Sequence, residues 1–382
     1  MDNIAGRKSS LTWAVNASVV VLVVLWLLPT VGLFVSSFRT GDQIATSGWW
    51  KALFPSEQNL TLRAAGPEAQ VEENGLYVIE GTFFEEGATP EISTWGTSSR
   101  DIGIYEPGDT GEFRDGSTIT LSADGSYRME SAEPFEGSRG PRVFVTAQTP
   151  PELTLENYRN LLFDPNNVDG MSRAFLSTLT VTIPATVIPI LVAAFAAYAL
   201  AWMDFKGRAL LIACVVGLLV VPLQLALIPL LKLHLAIGIG KGYLGVWLAH
   251  TGFGLPMAIY LLRNYMAGLP RDIIENARVD GATEYQIFIR IILPLSFPAL
   301  ASFAIFQFLW TWNDLLVAKV FLIDATGQTT VMTAKIVELM GTRGGNWEIL
   351  ATAAFVSISV PLLVFFLMQK YLVRGLLAGS VK

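Results

Sequence analysis

Long apolar runs separated by short polar stretches dominate the chain, and one acidic stretch with strand-like alternation interrupts them. Six runs, about Thr12–Phe38, Ser177–Ala201, Ala209–Leu231, Tyr243–Leu262, Phe297–Leu322 and Leu350–Leu372, stand out. Each can cross a hydrocarbon core of about 30 Å at about 1.5 Å rise per residue. Several contain proline (Pro29, Pro184, Pro189, Pro222, Pro229, Pro256, Pro361), which a membrane helix tolerates where neighbours satisfy the freed carbonyls. Trp13, Trp202 and Trp347 flank spans, as interfacial aromatics do. The first run lacks a following small-residue cleavage site and has the length of an anchor, not a signal peptide. The expected fold is all-α and polytopic, with six transmembrane helices.

Residues 39–172, between the first two runs, follow another rule. "TITLSADGSYRME" sets Asp124-Gly125 between two alternating runs, a hairpin pattern. "ENGLYVIEG" puts an Asn-Gly turn before a β-rich run, and "RVFVTA" reads as a further strand. A β-rich insert over about 70–148 is expected, its core drawn from Leu76, Val78, Ile79, Phe83, Phe84, Ile119, Leu121, Tyr127, Val143, Phe144 and Val145. The alternative is a disordered acidic loop, against which the strand-spaced aromatic and β-branched residues argue. The chain thus divides into residues 1–38 with the first span, 39–172 with the insert, and 173–382 with five helices.

Composition sharpens this picture. Of 382 residues 52% are hydrophobic and only 15% charged, against about a quarter charged in soluble chains. The stretch Arg39–Arg173 holds 10 of the 26 basic and 22 of the 32 acidic residues, a local net of −12 that leaves +6 elsewhere. Basic residues also set orientation. With the N-terminus inside, the inner segments carry Arg7, Lys8, Lys206, Arg208, Arg263, Arg271, Arg278, Arg290, Lys370, Arg374 and Lys382. The short outer ones carry only Lys232, Lys241, Lys319, Lys335 and Arg343, which favours both termini in the cytoplasm. One cysteine, Cys214, allows no internal disulfide, and two histidines, His234 and His250, suit packing or interfacial roles better than a metal site. No metal and no nucleic acid are expected.

A charged segment facing the cytoplasm, "ENARVDGATEYQIFIRIILP" at residues 275–294, breaks the apolar pattern. Pro270-Arg-Asp resembles a helix start, with Asp272 favoured there by the macrodipole. Gly281 can turn the chain between two short helices, and Pro294 is expected to end the second. Ile287, Phe288, Ile291 and Ile292 offer an apolar face, and Glu275, Arg278, Asp280 and Glu284 offer charge toward water.

Glu275, Ala277, Gly281, Ile291, Leu293 and Pro294 fit the pattern E-x-A-x3-G-x9-I-x-L-P. This resembles the cytoplasmic loop of membrane subunits of binding-protein-dependent ABC importers. The family usually has a second alanine where Asn276 stands. "GWWKALFP", "LTLENYRNLLF", "FQFLWTWNDLL" and "GLLAGSVK" are similar to the carbohydrate-uptake branch, and within it to the second permease subunit of maltose and α-glucoside importers. The resemblance covers about residues 1–60 and 150–382; the insert departs from it.

The resemblance implies a non-catalytic permease of the inner membrane, forming a sugar pathway as a heterodimer with a second permease. A periplasmic sugar-binding protein would deliver the substrate, and α-glucosides such as maltose or maltodextrin, sucrose or trehalose are the class implied. Two copies of an ABC ATPase would bind ATP and Mg; this chain has no G-x-x-x-x-G-K-[ST] loop and is expected to hold no cofactor. The coupling loop, about 263–296, would meet an ATPase through Glu275, Ala277, Arg278, Asp280, Gly281, Leu293 and Pro294. Ala277 would be small enough to enter a cleft, and the tail Gly379, Ser380, Val381 and Lys382 would lie at the ATPase interface. The outer loop Asp324–Glu348, with Gly327, Gly341, Gly344 and Gly345, would help to expel sugar.

Polar groups inside spans are costly, so Gln224, Gln307, Asn313 and Asp314, with Trp310 and Trp312 as apolar platforms, are candidates to line the pathway. Interhelical hydrogen bonding, or the outer interface for Asn313 and Asp314, is the alternative that accounts for them more simply. An ABC permease for another solute, an ion-coupled secondary transporter and a membrane-anchored β-domain receptor are the competing classes. The second predicts intramembrane carboxylates beyond Asp314 and an internal repeat, and the third needs one span.

Overall fold

The computed structural model describes residues 10–84, 90–163, 171–323, 329–342 and 345–377. They fall into two compact units, Met1–Arg159 with Gly345–Thr352, and Asn160–Gly344 with Ala353–Lys382.

The first unit begins with α1 (Ser10–Ser36), which has no charged residue in its first or last turn and keeps most of its valines and leucines exposed. A short helix, α2 (Gly41–Thr46), opens on a capping box between Thr40 and Gln43. Buried Arg39 donates to the Gln43 and Ser47 carbonyls and so fixes this corner. Trp49 lies over Gly32 of α1, where an added Cβ would stand 2.9 Å from the indole nitrogen.

Eight strands follow: β1 (Ser56–Arg63), β2 (Val71–Glu73), β3 (Leu76–Thr82), β4 (Glu91–Gly96), β5 (Thr110–Glu112), β6 (Thr118–Leu121), β7 (Ser126–Ser131) and β8 (Arg142–Thr149). They form two antiparallel sheets, β1-β8-β4 and β2-β3-β7-β6-β5, around one core. The expected hairpins are present. Asn74 and Gly75 both take positive φ (54° and 84°) between β2 and β3, the geometry a right-twisted two-residue turn requires. Between β6 and β7 Gly125 has φ 86°, and the Asp124 carboxylate accepts from the Ser126 amide and hydroxyl.

The boundaries differ from those expected. β1 precedes residue 70 and pairs with β8 along its whole length, from Ser56–Thr149 to Arg63–Arg142. Its polar sequence, SEQNLTLR, hides the alternation that half-buries Leu60 and Leu62. Leu76, placed in the expected core, is exposed beside the turn, and Phe144 is only half-buried because β8 points Val143, Val145 and Ala147 inward. Trp95, Ile92 and Met129 complete the core. The Trp95 indole donates to the Glu106 carbonyl at 3.1 Å.

After α3 (Glu156–Leu162), the second unit is built on α4 (Met171–Trp202) packed along α7 (Tyr243–Ala267). The buried positions include many small residues, Ala174, Thr178, Ala185, Ala193 and Ala197 on α4 and Gly245, Ala249, Gly254 and Ala258 on α7. Small residues let backbones approach where apolar lipid supplies no hydrophobic drive. Between them run α5 (Arg208–Leu218) and α6 (Leu223–Ala236), bent by 110°. The expected continuous span Ala209–Leu231 is therefore broken, because Pro222 lacks the N–H that the Leu218 carbonyl would need.

Beyond α7 come α8 (Arg271–Val279), α9 (Glu284–Ile287), a π turn at Phe288–Ile292, α10 (Leu293–Leu295) and α11 (Phe297–Trp312). Contrary to expectation Pro294 does not end the helix. The π turn shifts the hydrogen-bond frame, with the Leu293 amide on the Phe288 carbonyl, and the helix continues to Leu295. It then bends by 70° into α11, where Pro298 cannot serve the Pro294 carbonyl. The run Phe297–Leu322 is likewise divided, into α11 and α12 (Leu316–Phe321); α13 (Met332–Thr342) and α14 (Trp347–Leu377) complete the chain. Among the described residues four helices are alone long and apolar enough to cross a membrane, or up to six if each bent pair is one span.

Because β1 completes the sheet around β8, the segment Ser56–Thr149 expressed alone should give a β-type circular dichroism spectrum and a cooperative melt. The shorter segment Gln70–Gln148 should give no cooperative melt, and a cooperative one would contradict this account of the core.

Candidate functional site

The segment that the sequence marked as unusual is an amphipathic protrusion of the second unit. Ile274 is its buried anchor, enclosed with Ile287, Phe288 and Ile292 in the core that α4 and α7 share. Glu275, Asn276, Asp280 and Val279 are exposed. Ala277 instead turns inward and packs against the core, so its small size serves α8's own seating.

Gly281 closes α8. Its amide donates to the Arg278 carbonyl, and the Ala282 amide reaches the Ala277 carbonyl, each at 3.0 Å. This pair of bonds requires a left-handed residue between them, and Gly281 has φ 79°. Thr283 then starts α9 with a capping box to Gln286. The sequence thus dictates helix, reversal and second helix locally. Leu293 packs on the core while Pro294 is exposed.

Two expected water-facing charges turn toward the protein. Arg278 Nε donates to Glu284 Oε1 at 3.0 Å, and its Nη2 donates to the Trp202 carbonyl at 3.2 Å. The other Glu284 oxygen accepts from the Tyr198 hydroxyl. The bond to Glu284 holds the Arg278 guanidinium above its ordinary pKa. Tyr198 and Glu284 were not legible as a pair, since they lie 86 residues apart.

Deeper in the same unit is a cavity of about 830 Å³, lined mainly by apolar groups including Phe253, Met257, Phe303 and Phe306, with Gln307 and Trp310 in its wall. The Gln307 amide donates to the Ala185 carbonyl at 3.1 Å. Gly254 makes room for it: a Cβ there would come within 2.7 Å of its oxygen. The remaining polar and aromatic candidates do not line this cavity. Gln224 is exposed in the first turn of α6. Trp312 is buried, stacked on Phe308 and bonded to the Ser357 carbonyl at 2.9 Å. Asn313 donates to the Leu309 carbonyl, and Asp314 caps α12, accepting from the Val317 and Ala318 amides at 3.2 and 2.9 Å. His250 is fully buried with Nε2 3.7 Å from Asp314. Gly379, Ser380, Val381, Lys382, Gly327, Gly344, Arg7 and Lys8 lie outside the described residues. Among the described residues no group of three His, Cys, Asp or Glu could hold a metal ion.

Comparison with known proteins decides what this architecture is. The model of the family described as "Binding-protein-dependent transport system inner membrane component" matches residues 168–377, more than half of the chain. The chain belongs to this family. As a member it is a membrane component of a transport system, not an enzyme. It is similar over nearly its whole length to the alpha-glucoside transport system permease protein AglG of Rhizobium meliloti (strain 1021), with 60% identity over 98% of each chain. The osmoprotective compounds uptake permease protein GgtD of Synechocystis sp. is 56% identical over 61% of this chain and 78% of its own. A solved bacterial ABC transporter involved in import of the acidic polysaccharide alginate is 22% identical, with a TM-score of 0.48 over 59% of this chain and 81% of that one.

Removing the Asp314 carboxylate should leave the first amides of α12 without acceptors. Asp314→Ala should destabilise the detergent-purified protein by about 1 kcal/mol, and Asp314→Asn by much less, read as shifts of the thermal midpoint. Equal midpoints for Asp314→Ala and the parent would contradict the capping role.

Proposed function

We propose that this chain is a permease subunit of an ATP-driven, binding-protein-dependent importer of α-glucosides. The observation that carries this reading is the 60% identity, over 98% of both chains, to a protein named for α-glucoside transport. In it the chain spans the inner membrane six times, each bent helix pair counting as one crossing, with both termini in the cytoplasm and the β-rich unit in the periplasm. The excess of Lys and Arg in the inner segments supports that orientation. A second permease completes the pathway, a periplasmic binding protein delivers the sugar, and two ATPase subunits bind ATP and Mg.

The exposed outer face of α8, with Glu275 and Asp280, docks in a cleft of one ATPase, and the tail Gly379–Lys382 lies near the ATPase interface. An acidic residue on an exposed helix suits an arginine-bearing partner. Closure of the ATPases moves α8, and transport follows because α8 meets the open and closed motors differently. Trp310 and Gln307 contribute the sugar-facing wall of this half, an aromatic face beside an amide.

A second reading, uptake of an osmoprotective compound, is favoured by the similarity to GgtD. Uptake by the complete transporter in proteoliposomes separates the two. Labelled maltose, sucrose or trehalose should enter with ATP, and excess osmoprotectant should not compete; the reverse result would favour the second reading. Glu275→Lys should leave the protein in the membrane, reduce co-purification of the ATPase and lower uptake at least tenfold. Normal uptake and ATPase association in that variant would overturn the docking role.

A further inference from the structure

α4 ends at Trp202, and the last carbonyls of a helix have no intrahelical donors. Two arginines from different elements take them. Arg208, at the start of α5, donates to the Leu200, Ala201 and Met203 carbonyls at 3.0, 3.1 and 3.3 Å. Arg278, at the end of α8, takes the carbonyl between them, that of Trp202. A cation at a helix C-terminus is also favoured by the macrodipole.

The contact is braced. Glu284 stands in the first turn of α9 with one carboxylate oxygen on Arg278 and the other on Tyr198, one turn back along α4. The Tyr198 ring is buried against Phe288, 5.2 Å between centroids. The Trp202 indole continues the chain of bonds, donating to the Met266 carbonyl at the end of α7 at 3.1 Å. α8, α9, α4 and α7 are therefore joined by directional bonds that fix their relative geometry; the Arg278–Glu284 pair is 41% exposed on each side, so it sets geometry more than stability. Ile274 fixes the same helix from the apolar side.

We propose that Tyr198, Glu284, Arg278 and Trp202 form a strut that makes α8 and the end of α4 move as one body, so that displacement of α8 reaches the spans α4 and α7. This rests on the reading of α8 as the docking helix and assigns Tyr198 and Glu284 a role in transmission instead of docking. Opposite faces divide the labour: Glu275, Asp280 and Val279 are exposed and point away, while Ile274 is buried and Arg278, itself 41% exposed, bonds the end of α4. Without the network, α8 would be held to the core only by the non-directional apolar packing of Ile274 and Ala277, which leaves it free to slide against α4.

The complete transporter in proteoliposomes tests this with Tyr198→Phe and Glu284→Gln. Both variants should retain the ATPase in parental amounts and hydrolyse ATP at the parental basal rate. Uptake per ATP of a labelled α-glucoside such as maltose should fall at least threefold in each. Unchanged uptake per ATP would overturn the strut, and so would loss of the ATPase from both variants, which would place the network in docking itself. The docking reading fails separately, if Glu275→Lys leaves ATPase association intact.

Discussion

A helix that stops at a membrane face leaves carbonyls that must be bonded within the protein or reach water, and the structure around α8 depends on how α4 meets that requirement. Arg208 and Arg278 reach the same four-residue terminus from two later elements, α5 and α8. Once Arg278 is committed there, the orientation of α8 follows. Its Ile274 face lies on the core, its Glu275 face looks away, and Gly281 has to reverse the chain so that Glu284 can return to Arg278. The same constraint explains the other breaks. Asp314 supplies acceptors where α12 restarts, and a π turn carries the helix past Pro294.

The two units solve different packing problems. The β-rich unit is enclosed by large apolar side chains, Trp95, Ile92 and Met129 among them, as a core built in water needs. α4 and α7 instead bury many alanine, glycine, serine and threonine residues, as helices do where close approach replaces hydrophobic drive. The acidic surface of the β unit is partly neutralised by its own arginines: Arg128 bonds Glu73, Glu80 and Glu130 at once. These pairs are exposed and contribute little to stability.

Much of this was legible in the chain. Apolar runs located the helices, Asn74-Gly75 and Asp124-Gly125 located two hairpins, and Pro270 and Gly281 bounded α8. Hydropathy could not reveal where runs break, since Pro222 and Asp314 sit in apolar surroundings that score as continuous. β1 was hidden by its polar residues, and its partner lies some 80 residues away, a pairing no local pattern carries. Tyr198 and Glu284 were unreadable for the same reason: Tyr198 looks like one more aromatic in a span, and Glu284 like a charge meant for water. Among the candidate wall residues, Gln307 and Trp310 line the cavity, whereas Trp312 has the composition of a sugar platform and the surroundings of a core residue.

The central claim is that α8 and the end of α4 are one mechanical body. Distance measurement between paired spin labels tests it directly. With Cys214 replaced by Ala, labels at Val279→Cys on α8 and Met203→Cys beyond α4 both sit at exposed positions. In the assembled transporter the interlabel distance should stay the same, within about 2 Å, a small fraction of the roughly 5.4 Å helical pitch, between nucleotide-free and ATP-trapped states. A shift of a full helical turn or more would show that α8 swings independently of α4, and would contradict the account.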